Sequence, residues 1–205
     1  VEDQKTKSGM DPRLTVILLV LLFVVPVGSA IVLHSIGDGW RPGQSVNFGK
    51  LVTPVRSLKD LQLETIDGKA VTHKDLQGVW TLFYIDSADC NEQCRKNLYE
   101  IRQSRLGMGG EKERIQRIML LTDSSKLAEM QPLLDEHYGM KVTIARDLAA
   151  SLQPFEFDNS ADAINAQRVY IIDPLGNLMM RYEAKQGPHD LVKDLERLLK
   201  YSKIG

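Results

Sequence analysis

Cysteine is nearly absent from this chain: Cys90 and Cys94 are the only two in 205 residues. That excludes a disulfide-stapled scaffold, and in an oxidising compartment so small a number points to chemistry rather than architecture. An excess of charge is missing too, with 26 lysines and arginines against 27 aspartates and glutamates, interspersed along the chain. A nucleic-acid binder would show a basic face, so that class is excluded. Histidine is scarce, and none of the 4 lies close in sequence to the cysteines. Two thiolates alone do not complete a tetrahedral zinc site. His34 borders an apolar run, His73 opens a short turn, and His189 sits in the first turn of the last helix. His137 ends a helix whose dipole favours a basic group there. None of them reads as a metal ligand.

Charge is wholly absent from residues 14–33, between Arg13 and His34. Twenty residues at about 1.5 Å each reach roughly 30 Å, the thickness of a bilayer's hydrocarbon core. A cleaved signal peptide carries an apolar stretch of only about 7–15 residues. The run therefore reads as a retained transmembrane anchor, despite the small residues Gly28, Ser29 and Ala30 near its end. Pro26 is tolerated there because neighbouring groups or interfacial water take up the freed carbonyl. Lys5, Lys7 and Arg13 precede the run, and Arg41 is the nearest basic residue after it. That asymmetry places the short tail, residues 1–13, inside and the C-terminal part outside. Residues 34–57, with Gly37, Gly39, Pro42, Gly43, Gly49 and Pro54, read as an irregular linker. Its Trp40 is an interfacial ring or a packing contact. Residues 58–205 then suffice for one domain with a full core.

Within that domain, residues 61–66 and 70–71 around Asp67-Gly68 predict a hairpin. Residues 79–85 and 118–121 are apolar runs of strand length, expected to be central and buried on both faces. Residues 91–106 predict a helix with Cys94, Leu98, Ile101 and Leu106 inward, and Asp89 followed by Glu92 reads as its capping box. Residues 126–138 predict a second helix, 142–145 an edge-like strand, 147–152 a brief helix, and 153–165 a loop. Residues 168–172 and 178–182 read as strand, turn and strand. From Pro188 a final helix carries Leu191, Leu195, Leu198 and Leu199 on one face. Strands alternating with helices predict an α/β central sheet flanked by helices. With a dithiol where the first central strand enters a helix, this looks like a thioredoxin fold.

Free amides and the helix dipole at a helix N-terminus favour a thiolate over a thiol. Cys90 is expected to be the more reactive and exposed partner, and Cys94, one turn in, the resolving thiol or second ligand. Asp86 and Asp89 act against thiolate formation. The same two sulfurs suit Cu(I), a soft ion content with few ligands. A catalytic dithiol, a soft-metal site and an inert structural pair are thus three readings of the same residues. The last is the poorest, since a pair at a strand–helix junction cannot staple distant segments.

The stretch G-V-W-T-L-F-Y at residues 78–84, followed by C-N-E-Q-C at 90–94, resembles the Sco/SenC family of membrane-anchored copper-handling proteins. Asp67-Gly68-Lys69, the strand before Asp123, and Y-I-I-D-P-L-G at 170–176 are similar to it too, and the likeness runs over residues 58–200. The resemblance implies a thioredoxin-like domain held in the periplasm by one helix in the inner membrane. It implies service to cytochrome c oxidase assembly, with an oxidase subunit or its apoprotein and a copper donor as partners. It further implies Cys90 and Cys94 as copper ligands beside a family histidine, whose position here holds Asn165. The family's proline after each cysteine is replaced by Asn91 and Arg95. The expected function is therefore an assembly factor that handles Cu(I), reduces client cysteines, or both. The alternatives are a membrane-tethered thiol–disulfide oxidoreductase without copper, and a non-catalytic binding or structural subunit of a membrane complex.

Overall fold

The computed structural model describes residues 11–36, 47–157, 163–184 and 186–204; residues 1–10 of the tail and Trp40 lie outside these. The described residues form two units, one comprising residues 11–36 and the other beginning at Asn47. The first is helix α1 (Pro12–Ile36), of which Pro12–Val32 is long and apolar enough to cross a membrane. Asp11 starts it by accepting the Arg13 N–H at 3.0 Å. Near Pro26, Ser29 Oγ donates to the Pro26 carbonyl at 2.9 Å.

In the second unit, β4 (Trp80–Asp86) is buried along its whole length. It lies between β5 (Ile115–Leu121), to which it is parallel, and β7 (Val169–Ile172), to which it is antiparallel. β6 (Met140–Ala145) follows β5, and the hairpin of β2 (Gln62–Thr65) and β3 (Ala70–Thr72) completes that side. On the other side come β8 (Asn177–Tyr182) and β1 (Lys50–Ser57), giving the order β1-β8-β7-β4-β5-β6-β2-β3. Two of these placements differ from the sequence expectation. Residues 142–145 are not at an edge, because β2 pairs with β6 through Glu64 and Ile144. Residues 50–57, whose composition reads as linker, form an edge strand, where Pro54 is tolerated because its missing donor is not needed by a neighbour.

Each face of the sheet has its own core. On one, Leu82, Tyr84 and Met119 meet Leu98 and Ile101 of α3 (Glu92–Gly107), Met130 of α4 (Leu127–Glu136), and Leu195 and Leu199 of α6 (Pro188–Tyr201). On the other, Phe83, Ile85, Leu120 and Ile172 lie under α2 (His73–Leu76), α5 (Leu148–Leu152) and a 3-10 turn, Gln153–Phe155. Leu82, Tyr84, Leu120, Ile171 and Leu195 are all buried. Leu106, expected to face inward, is exposed; Ser104 and Asn97 take buried positions on α3 instead. The stretch 153–165 holds a core residue that no periodicity announces. Phe155 stacks on Phe83 at 4.9 Å and meets Tyr170 edge-on at 5.0 Å. Gly176 closes the β7–β8 turn with φ +79°, where a side chain would collide with the His73 ring.

The C-terminal carbonyls of α4 are served by arginines rather than by His137. Arg102 Nη1 donates to the Glu136 carbonyl at 2.6 Å, and Arg117 Nη2 donates to the carbonyls of His137 and Tyr138. Arg117 is pulled down to about 10 by burial and by Arg105 and Arg102, which leaves it charged at neutral pH. His137 is buried, and burial followed by the charges of Arg102 and Arg117 lowers its pKa from 6.5 to about 4.

Two predictions follow from this packing. The unfolded chain takes up a proton at His137 below about pH 6.5, while the folded state resists until about 4. Stability should therefore fall as pH drops through that window, and a series of thermal melts should show the fall flattened in His137→Gln relative to wild type. Phe155→Ala should cost about 3–5 kcal/mol in denaturant unfolding, the usual loss for emptying a buried aromatic site.

Candidate functional site

The end of β4 and the start of α3 bring the two cysteines together. Cys90 and Cys94 form a disulfide with Cα atoms 5.2 Å apart, inside the roughly 4.4–6.8 Å that such a bond requires. Cys94 is fully buried against the α3 face of the sheet, and Cys90, just before the helix, is half-buried. The difference in exposure matches the expected order of the pair.

The N-cap of α3 is Asn91, not Asp89: Asn91 Oδ1 accepts the Cys94 N–H at 2.9 Å. An asparagine three residues before Cys94 is a capping signal in its own right, and it competes with the Asp89–Glu92 pattern. Asp89 instead pairs with Lys126 at 2.9 Å, and that hydrogen bond and charge raise the Lys126 pKa. The negative charge nearest Cys90 in sequence is thus offset by a cation. Asp123, whose carbonyl accepts the Ala88 N–H at 2.8 Å, ties the loop before the cysteines to the end of β5. Its carboxyl is held below the usual range by the Ser125 N–H and hydroxyl.

Beneath the disulfide lies a polar network that sequence reading did not assemble. The antiparallel register pairs Tyr84 with Val169, so it carries Gln167 to the level of Asp86. The Asp86 carboxylate is buried and accepts from Tyr84 Oη at 2.5 Å, Gln167 Nε2 at 2.9 Å and its neighbour Ser87 N at 2.8 Å. Asn97 Nδ2 donates to Tyr84 Oη at 3.2 Å and to the Gln167 carbonyl at 2.9 Å. Gln93 Nε2 closes the set, donating to Asn97 Oδ1 at 2.8 Å and to the Ala184 carbonyl at 2.6 Å. Burial, then the Asp86 charge, raises the Tyr84 pKa above its ordinary value, so its hydroxyl stays a donor at neutral pH. Asn97 and Asp86 are buried and Gln93 is half-buried, polar side chains that adjoin the apolar positions of β4 and α3 without belonging to their pattern.

Asn165 is exposed in the turn that precedes β7. Among the described residues, no group of three or more His, Cys, Asp or Glu side chains is arranged to hold a metal ion. With the two sulfurs joined to each other and no set of three such donors among the described residues, the donor set does not fit a three-ligand copper centre. What the arrangement supports is reversible thiol–disulfide chemistry.

Known structures agree with the fold. Copper-bound ScoI of Bradyrhizobium japonicum is 22% identical over 67% of this chain and 96% of its own, with a TM-score of 0.54. Apo Sco1 of Thermus thermophilus is 15% identical over 76% of this chain and 99% of its own, with a TM-score of 0.59. The thioredoxin domain of a thiol-disulfide oxidoreductase from Bacteroides vulgatus is 15% identical, covering 72% and 99%, with a TM-score of 0.54. The Sco/SenC resemblance of the sequence thus extends to the fold, and a plain oxidoreductase shares that fold equally well. No curated protein matches the sequence. Residues 80–202 match the family described as transmembrane-like, thioredoxin-like, C-terminal domain, and the chain belongs to that family.

Proposed function

We propose that this protein is a membrane-tethered thiol–disulfide oxidoreductase whose Cys90–Cys94 pair exchanges two electrons with the cysteines of a client protein. One observation carries the reading: a disulfide at a strand–helix junction with one half-buried and one fully buried sulfur. The helix dipole and free amides at the start of α3 favour an anionic sulfur at Cys90. In the reducing direction the Cys90 thiolate attacks a client disulfide. The client S–S bond breaks, one client sulfur leaves as a thiolate, and a mixed disulfide remains. The deprotonated Cys94 then attacks Cys90 Sγ, releasing the second client thiolate and forming the Cys90–Cys94 bond. Two electrons have passed to the client, whose thiolates take up the two protons the dithiol lost. A dithiol donor restores the reduced pair.

In this reading α1 anchors the chain in the inner membrane, and the unit that begins at Asn47 works in the periplasm. The basic residues before α1 favour that orientation, and a disulfide persists in an oxidising compartment. A membrane-impermeant thiol reagent applied to intact cells after mild reduction should label Cys90. Labelling only after the membrane is opened would reverse the orientation.

A second reading is favoured by the fold shared with copper-bound ScoI of Bradyrhizobium japonicum. Here the reduced pair carries Cu(I) as cargo toward a cytochrome c oxidase apoprotein, with no histidine as third ligand to retain Cu(II).

Two experiments on the full chain in detergent decide between these. Cys94→Ser should trap a client as a mixed disulfide through Cys90, seen as a reducible high-mass species, while Cys90→Ser should trap none. Trapping by Cys90→Ser alone would invert the roles. Disulfide exchange should proceed with no copper present, any Cu(I) taken up by the reduced chain should depend on both cysteines, and Asn165→His should strengthen Cu(II) binding with a thiolate–copper absorption band. Stoichiometric Cu(I) uptake by wild type, without disulfide exchange, would sink the oxidoreductase reading and promote the copper one.

A further inference from the structure

Gln167 has φ +46° and is the one non-glycine residue with positive φ among the described residues. A side-chain-bearing residue is disfavoured in that region and persists only where its surroundings overdetermine it. Here they do. Its carbonyl accepts from Asn97 Nδ2 at 2.9 Å, and its side-chain nitrogen donates to Asp86 Oδ2 at 2.9 Å and Asn91 Oδ1 at 3.0 Å. A carboxamide nitrogen has two hydrogens, and both are spent. Asn91 Oδ1 has two lone pairs, and both are taken, the other by the Cys94 N–H at 2.9 Å.

We propose that Gln167 is a positioning residue for the dithiol, clamping the Asn91 cap so that the sulfurs of Cys90 and Cys94 stay within bonding reach when they are reduced. The inference deepens the oxidoreductase reading and rests on it for its biological use, but its geometry does not. Asn91 lies between the two cysteines in sequence, so a rotation of its side chain frees the Cys94 N–H and loosens the first turn of α3. In the disulfide form the covalent bond holds that turn. In the dithiol or a mixed disulfide the cap and its clamp hold it, together with the helix's own backbone bonds such as Arg95 N–H to the Asn91 carbonyl. Holding the turn raises the effective concentration of Cys94 thiolate against a mixed disulfide on Cys90 Sγ. It therefore favours ring closure over the open, reduced pair. The strained backbone is what aims the carboxamide at both acceptors: it lets residue 167 send its carbonyl to Asn97 and its side chain across the end of β4.

The test is the equilibrium between protein disulfide plus two glutathione thiols and protein dithiol plus glutathione disulfide, measured on the full chain in detergent. Gln167→Ala and Gln167→Gly should each move it about fivefold toward the dithiol, about 20 mV at 29.6 mV per tenfold for two electrons. Both variants remove the Gln167 donor from Asp86, but glycine also relieves the positive φ, so Gln167→Gly should melt above Gln167→Ala, and an equal redox shift in the two separates lost positioning from lost stability. Asn91→Ala should give a similar shift, and the Gln167→Ala/Asn91→Ala double variant should add little, because both act on one cap. A Gln167→Gly chain with the wild-type equilibrium would overturn the proposal, as would full additivity in the double variant. The glutathione equilibrium needs no client. A shifted equilibrium in a chain that traps no client retires the oxidoreductase reading and leaves the positioning role, while client trapping with an unshifted equilibrium does the reverse.

Discussion

All residues of Trp80–Asp86 are buried, and a strand covered on both faces must find hydrogen-bonding neighbours on both edges. That requirement places β5 and β7, and through them the rest of the sheet. It also delivers the strand's last residue, Asp86, to a position where water does not reach a carboxylate easily. A buried carboxylate is tolerated only with its lone pairs occupied. Tyr84, Ser87 and Gln167 occupy them. The site is in this sense a consequence of where β4 ends: satisfying Asp86 draws in the residues that then surround the cysteines.

The same logic explains the mixed character of α3. An ordinary helix against a sheet buries an apolar stripe, and Leu98 and Ile101 do so. Its buried face also carries Asn97, Glu100 and Ser104. Asn97 is matched on three of its hydrogen-bonding sites by Tyr84, Gln167 and Gln93. Such a network is stabilising only when its members are all satisfied together, which couples β4, α3 and the approach to β7 more tightly than apolar contacts alone. On the opposite face the cover is thin, short helices and a turn, and Phe155 does much of the filling by stacking on Phe83.

The strands and helices with regular periodicity were legible in the sequence, because β4, β5 and α6 depend on local apolar pattern. So was the thioredoxin-like arrangement, which follows from their order. The edge strand β1 was not, since Pro54 and the flanking glycines outweigh pattern in a segment whose pairing with β8 is long-range. Phe155 was hidden for a related reason: its partners, Phe83 and Tyr170, lie far off in sequence and lend it no period. At the site, the cysteine pair and their difference in exposure could be read directly. The cap could not, because Asp89 and Asn91 are both good N-caps and only the ion pair of Asp89 with Lys126 decides between them. Gln167 is invisible to pattern altogether. It matters through the β4–β7 register and a backbone conformation, neither of which a glutamine announces.

The chemistry of the donor groups then separates the two readings of the dithiol. Copper(II) needs nitrogen or sulfur lone pairs beyond two thiolates, and imidazole is the usual source. The side chain that reaches the cap between the cysteines is Gln167, and it presents N–H groups, not a lone pair. Asn91 Oδ1 has both lone pairs engaged, and Asp86 Oδ2 accepts from both Tyr84 and Gln167. His137 is buried against the end of α4 and hemmed by Arg102 and Arg117, which oppose any further cation there. A surround of donors and acceptors already matched to one another has little to offer a metal. It has the right character to keep a helix turn in place while two electrons enter or leave the sulfurs on either side of its cap.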